Sequence, residues 1–96
     1  MNIKLFRMSS GEDVVSELLE EKEDVVIISN PIVAVPTKDN QIGFAAWSPI
    51  MDREVKELEV NKKFIVFITE ADPPVRDHYN NIFNPLTIPP EKKIIV

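Results

Sequence analysis

The stretch Lys4–Pro31, KLFRMSSGEDVVSELLEEKEDVVIISNP, decides the fold. An apolar run closes in Ser9-Ser10-Gly11-Glu12, a second opens at once, and a third follows the acidic break Glu21-Lys22-Glu23-Asp24. Short apolar runs joined by polar turns read as an antiparallel meander. Ile3–Met8 is predicted as the first strand, with Leu5 and Arg7 on one face and Phe6 and Met8 on the other. Gly11 suits the turn because it takes positive φ without a Cβ clash. Asp13–Glu20 also fits helical spacing through Val14, Leu18 and Leu19, and Ser10 with Asp13 imitates a capping box. The β-branched Val14-Val15 and the tight Gly turn favour a strand. The doubled pairs Val14-Val15 and Leu18-Leu19 predict cover on both faces of a bent sheet.

Beyond the meander, Val25-Val26-Ile27-Ile28 reads as strand. Asn30-Pro31 interrupts it, and Ile32-Val33-Ala34-Val35 resumes it. Pro31 has no N–H to give a ladder, so a bulge, bend or edge is expected there. After the polar loop Thr37–Asn40, Gln41–Ile50 is predicted as strand, with Ile42, Phe44 and Ala46 on one face. Glu54–Val60 alternates in the manner of another strand. Lys62–Thr69 carries five consecutive apolar residues, Phe64-Ile65-Val66-Phe67-Ile68. A strand of this kind needs cover on both faces. The sheet ends at Ala71-Asp72-Pro73-Pro74. Pro74 is the expected first residue of a helix whose apolar stripe is Val75, Tyr79, Ile82 and Phe83, stopped by Pro85. The tail Leu86–Val96 carries Pro89-Pro90 and the apolar end Ile94-Ile95-Val96, which fits either a disordered tail or docking on a neighbour as an added strand.

Composition bounds the possibilities. The 96 residues, 44% hydrophobic, suit one domain with a modest core, for which oligomerisation adds stability. Residues 1–70 are expected to form the β-domain, with residues 71–96 as helix and tail packed on it. The absence of Cys excludes a disulfide framework and thiolate metal sites. The opening Met1-Asn2-Ile3-Lys4 predicts no signal peptide, and no apolar run is long enough for a membrane helix. A cytoplasmic location and no membrane partner are expected. The net charge of −5 disfavours nonspecific attraction to nucleic acid.

The meander, the Gly11 turn and the late apolar strand together resemble the Sm and Sm-like (LSm) family over residues 3–69. Within that family the chain is similar to small Sm-like proteins of tailed bacteriophages and marine metagenomes, which would place it in a host cytoplasm. The resemblance implies a strongly bent five-stranded antiparallel barrel, a homo-oligomeric ring and RNA binding. Phe64, Ile65, Val66, Phe67 and Ile68 occupy the place of the late strand that pairs between subunits in such rings. The family's RNA signatures are missing. Glu23-Asp24-Val25-Val26-Ile27 keeps an Asp but lacks the following Asn, and Ile65–Glu70 has no Arg-Gly pair. The helical pattern also comes last here, whereas the family's helix precedes the first strand.

Few residues suggest chemistry. His78 is the sole histidine, lies off the helix stripe and has no partners at ligand spacing. The carboxylates Glu17, Glu20, Glu21, Glu23 and Asp24 lack the offsets of a calcium loop and read as a solvated face. Ser9, Ser10 and Ser48 have no adjacent base. No catalytic residue, metal or cofactor is expected, and an enzyme is the least supported class. The nucleic-acid candidates are Phe44 and Trp47 for stacking, with Arg53, Lys56, Lys62 and Lys63 for phosphate. The plainer alternative puts Phe44 in the core, Trp47 at a barrel end or subunit contact, and the lysines in solvent. Two functions follow: an Sm-like ring that binds RNA, or a structural scaffold that engages protein partners without nucleic acid.

Overall fold

The computed structural model describes residues 2–39, 41–52 and 54–83. Six strands form one antiparallel sheet: β1 (Ile3–Met8), β2 (Asp13–Glu21), β3 (Val25–Pro36), β4 (Ile42–Ala46), β5 (Leu58–Asn61) and β6 (Ile65–Glu70). A 3₁₀ turn, Lys62–Phe64, separates β5 from β6, and the helix α1 spans Pro73–Phe83. The spatial order is β4-β3-β2-β1-β6, and β5 pairs with β3 as well. The long β3 therefore serves two neighbours: Val25–Ile28 pairs with β5 and Ile32–Pro36 with β4.

The meander is as expected. Gly11 sits in the first turn at φ +97°, a conformation that penalises any side chain with a Cβ. Arg7 of β1 faces Asp13 of β2, and their side chains form an ion pair. The two faces of the sheet carry separate clusters. Ile3, Val15, Ile32 and Ala71 pack with Tyr79 of α1, joined by the half-buried Leu5, Val75 and Phe83. Phe6, Met8, Val14, Val26 and Ile28 form the second cluster, joined by Leu18, Leu58, Val60, Ile65 and Ile68. Val14 and Val15 are both buried because one points to each cluster. Each fully buried side chain of this size contributes about 1.5–3 kcal/mol.

The strands stay in phase with both clusters through bulges. Between the pairs Val15↔Ile32 and Glu17↔Ser29, β2 uses only Ser16 while β3 uses Asn30 and Pro31. Asn30 takes φ +53°, which Asn tolerates better than most residues. This extra residue lets Ile28 and Ile32 face opposite clusters although both numbers are even. A compensating bulge follows on β2, where Leu19 lies between Leu18↔Ile28 and Glu20↔Ile27 and is left exposed.

Several expectations are corrected. The sheet does not close into a five-stranded barrel: among the described residues it has six strands, and β6 pairs with β1 alone while β4 and β5 each pair with β3 alone. The strand expected over Gln41–Ile50 stops at Ala46, where Ser48-Pro49 leads into a turn closed by Met51 N–H to Ser48 C=O (3.1 Å). Only Leu58–Asn61 of the last strand before Lys62 is formed. Upstream, the Asp52 carboxylate accepts from the Glu54 amide (2.9 Å), and its carbonyl accepts from the Val55 amide, which holds a turn. Lys62–Phe64 coils because the Asn61 side chain accepts from the Lys63 amide (2.9 Å), a local alternative to the ladder. The helix begins at Pro73, one residue earlier than expected, with Asp72 C=O accepting from Val75 and Arg76 N–H. Arg53, Pro85 and the tail Leu86–Val96 lie outside the described residues.

Candidate functional site

Two of the sheet's bulges, at Asn30 on β3 and at Val66 on β6, have different surroundings. At the β2–β3 bulge the ladder leaves polar groups without their usual partners. Tyr79 of α1, fully buried, brings its hydroxyl there. The hydroxyl accepts from Glu17 N–H (3.1 Å) and donates toward Ser29 C=O (2.8 Å) and Asn30 C=O (3.0 Å). The buried Ser16 hydroxyl also donates to Ser29 C=O (2.7 Å). Burial pushes the Tyr79 hydroxyl up to about 12. Tyr79 therefore pins the helix to the sheet and repairs the bulge. The sequence marked it only as part of an apolar stripe. The interruption at Asn30-Pro31 signalled that polar groups needed partners, but nothing pointed to a donor some fifty positions later.

At β6 the bulge lies in the ladder to β1. Between Arg7↔Phe67 and Met8↔Ile65, β6 contributes the extra residue Val66. Ile65 and Ile68 consequently both reach the cluster around Phe6 and Ile28. The other three residues of the apolar run do not: Phe64 is 57%, Val66 63% and Phe67 43% exposed. Arg7 lies over the Phe67 ring at 5.7 Å. Among the described residues β6 has a strand partner on one side only, so its outer backbone groups face away from the sheet. Thus the proposed interface strand divides into two residues committed to the chain's own core and three large apolar residues presented at a free edge.

The nucleic-acid candidates are dispersed. Phe44 and Trp47 line one groove of about 470 Å³ between β4 and the C-terminal half of α1, together with Met51, Val55, His78 and Ile82. Phe44 is half-buried against the helix cluster and stacks on His78 with ring centroids 5.2 Å apart. Trp47 packs on the cluster around Phe6 and Ile28 and donates its Nε1–H to Glu12 (3.3 Å). Lys62 lies instead beside β6 and is ion-paired with Glu21 (2.9 Å). Lys56 and Lys63 are exposed. Other cations are also paired: Lys4 with Glu70, and Arg76 with Glu70 (3.6 Å). The hydrogen bond and charge of Lys4, with Arg76 adding, hold the Glu70 carboxyl below its ordinary range. Among the described residues, no group of three His, Cys, Asp or Glu side chains is placed to hold a metal, and no helix is long and apolar enough to cross a membrane.

No family model matches this chain, and no curated protein matches it.

Proposed function

We propose that this chain is a self-assembly module that joins further copies through the outer edge of β6, as an Sm-like homo-oligomeric ring acting as a scaffold. The observation that carries this reading is the outer edge of β6, free among the described residues, with Phe64, Val66 and Phe67 exposed beside it. An apolar edge strand of this kind is a template for pairing, and a protein that stays soluble must cover it. The opposite edge of the sheet is formed by β4 and β5. Joining β6 of one copy to the opposite edge of the next is a head-to-tail contact, which closes into a ring when the rotation between copies divides a full turn. The Gly11 turn, the meander and the kink of β3 at Asn30 support the Sm-like part of the reading.

RNA binding by the ring is the second reading, and it has one favourable observation: Phe44 and Trp47 share a groove. Stacking on single strands works when aromatics lie inside a basic track. Here Lys62 lies on a different part of the surface and is paired with a carboxylate, which favours the scaffold. Native mass spectrometry with an added uridine-rich oligonucleotide tests both. A ring that ignores the oligonucleotide is the expected result. A ring that gains one oligonucleotide would replace the scaffold with the RNA reading, and a monomer would remove both.

A further inference from the structure

The groove between β4 and α1 has a chemistry that neither the scaffold nor the RNA reading uses. Its walls carry three aromatic residues, Phe44, Trp47 and Phe83, together with Met51. Its volume of about 470 Å³ falls within the range of small-molecule sites, ~300–1,000 Å³. Two of the rings are held by neighbours: His78 stacks on Phe44, and Glu12 accepts the Trp47 Nε1–H. Aromatic rings are electron-rich on their faces, so rings gathered in one cleft attract a cation.

The charges around the groove agree. Asp52 lines it, and the Glu12 carboxylate lies against the edge of the Trp47 ring. The ion-paired cations Lys4, Arg7, Lys62 and Arg76 are not among its described lining residues. A phosphate would meet the two carboxylates as like charges, whereas a cation meets them as partners. The type of cation follows from hydrogen bonding. A primary ammonium brings three N–H donors that aromatic walls leave unmatched, and a quaternary ion brings none. We propose that this groove binds a small quaternary ammonium ion of the choline class, its methyl groups against Phe44, Trp47 and Phe83 and its charge offset by Asp52 and Glu12. Among the described lining no residue belongs to β6, so binding is separable from assembly.

Fluorescence titration of the full-length protein tests this. Trp47 is the sole tryptophan, so its emission reports on the groove directly. Choline is compared with its neutral carbon isostere, in which a tert-butyl group replaces the trimethylammonium, and with uridine monophosphate. Choline is expected to give a saturable change. The isostere is expected to bind about tenfold more weakly or worse, the loss that follows when the charge is removed from a partly desolvated aromatic site. Asp52→Asn keeps a side-chain oxygen for the Glu54 amide and removes the charge. It is expected to weaken choline about two- to fivefold, the range for an exposed charge pair. Equal binding of the isostere would overturn the proposal. Unchanged choline affinity in Asp52→Asn would do the same, since the choice of a cation rests on that carboxylate. A response to uridine monophosphate in place of choline would return the groove to the RNA reading. The lack of any saturable response to choline in the wild type would also overturn the proposal, whatever else fills the groove.

Discussion

The bulge at Asn30 and the bulge at Val66 do the same geometric job. Each shifts a strand by one residue so that apolar side chains reach the right cluster. They differ in what surrounds them. Around Asn30 the displaced backbone groups meet the Tyr79 hydroxyl and the Ser16 hydroxyl inside the chain. Around Val66, on a strand at the edge of the sheet, the large apolar side chains of Phe64, Val66 and Phe67 are exposed. An interior seam must be completed by the chain itself, because an unpaired buried polar group costs about 1–3 kcal/mol. An edge seam can be completed by another molecule. The contrast locates the partner-dependent part of the fold at β6.

The strongest way to break the contrast is to charge the bulge at Val66. Val66→Lys places an ammonium on the free edge, and complete loss of assembly is expected by analytical ultracentrifugation. The monomer should keep its far-ultraviolet circular dichroism, since Val66 is not part of either core cluster. A Val66→Lys protein with the wild-type mass would move the interface away from β6.

The next effect concerns the bulge at Asn30. Tyr79→Phe keeps the ring but strands Glu17 N–H and the facing carbonyls. A loss of about 1–3 kcal/mol is expected in urea unfolding, with assembly retained. The same hydroxyl sharpens the comparison through pH. Its folded value lies near 12 against an ordinary 10.0. The neutral phenol is thus favoured by folding. Its contribution is fully present below pH 10 and is lost as pH rises from there through about 12. Wild type should therefore lose stability over that window more steeply than Tyr79→Phe. Parallel slopes in urea titrations would show that the hydroxyl does not carry the seam.

The meander's residues were readable because each strand is signalled locally. Ile3–Met8 and Val25–Ile28 have the composition of strands, and Gly11 marks a turn that only a residue without Cβ enters cheaply. The later strands were less legible because short polar side chains compete with the ladder. Asp52 and Asn61 each capture a nearby amide, which shortens β5 and coils Lys62–Phe64. The Phe64–Ile68 run was legible as a strand in need of cover, but its division into core and edge residues depends on the bulge opposite Arg7 and Met8. Register of this kind is a tertiary property. The same holds for Tyr79, whose partners come from β2 and β3. The dispersal of Phe44, Trp47 and Lys62 was likewise hidden, since sequence order does not tell which end of a sheet a loop reaches.

The smallest expected effect tests the turn that starts the meander. A Cβ at Gly11 meets open space, so Gly11→Ala acts through backbone strain alone. A loss of about 1 kcal/mol is expected, with no change in assembled mass. A larger loss would mean that the Ser9–Glu12 turn contributes to the neighbouring contact as well.

The most direct measurement is the native mass of the wild-type protein across a dilution series. A single defined multiple of 11.0 kDa that persists until dissociation is expected if the β6 edge joins copies of the chain. An 11.0 kDa species at every concentration would contradict it, and would mean that Phe64, Val66 and Phe67 are exposed for some other partner.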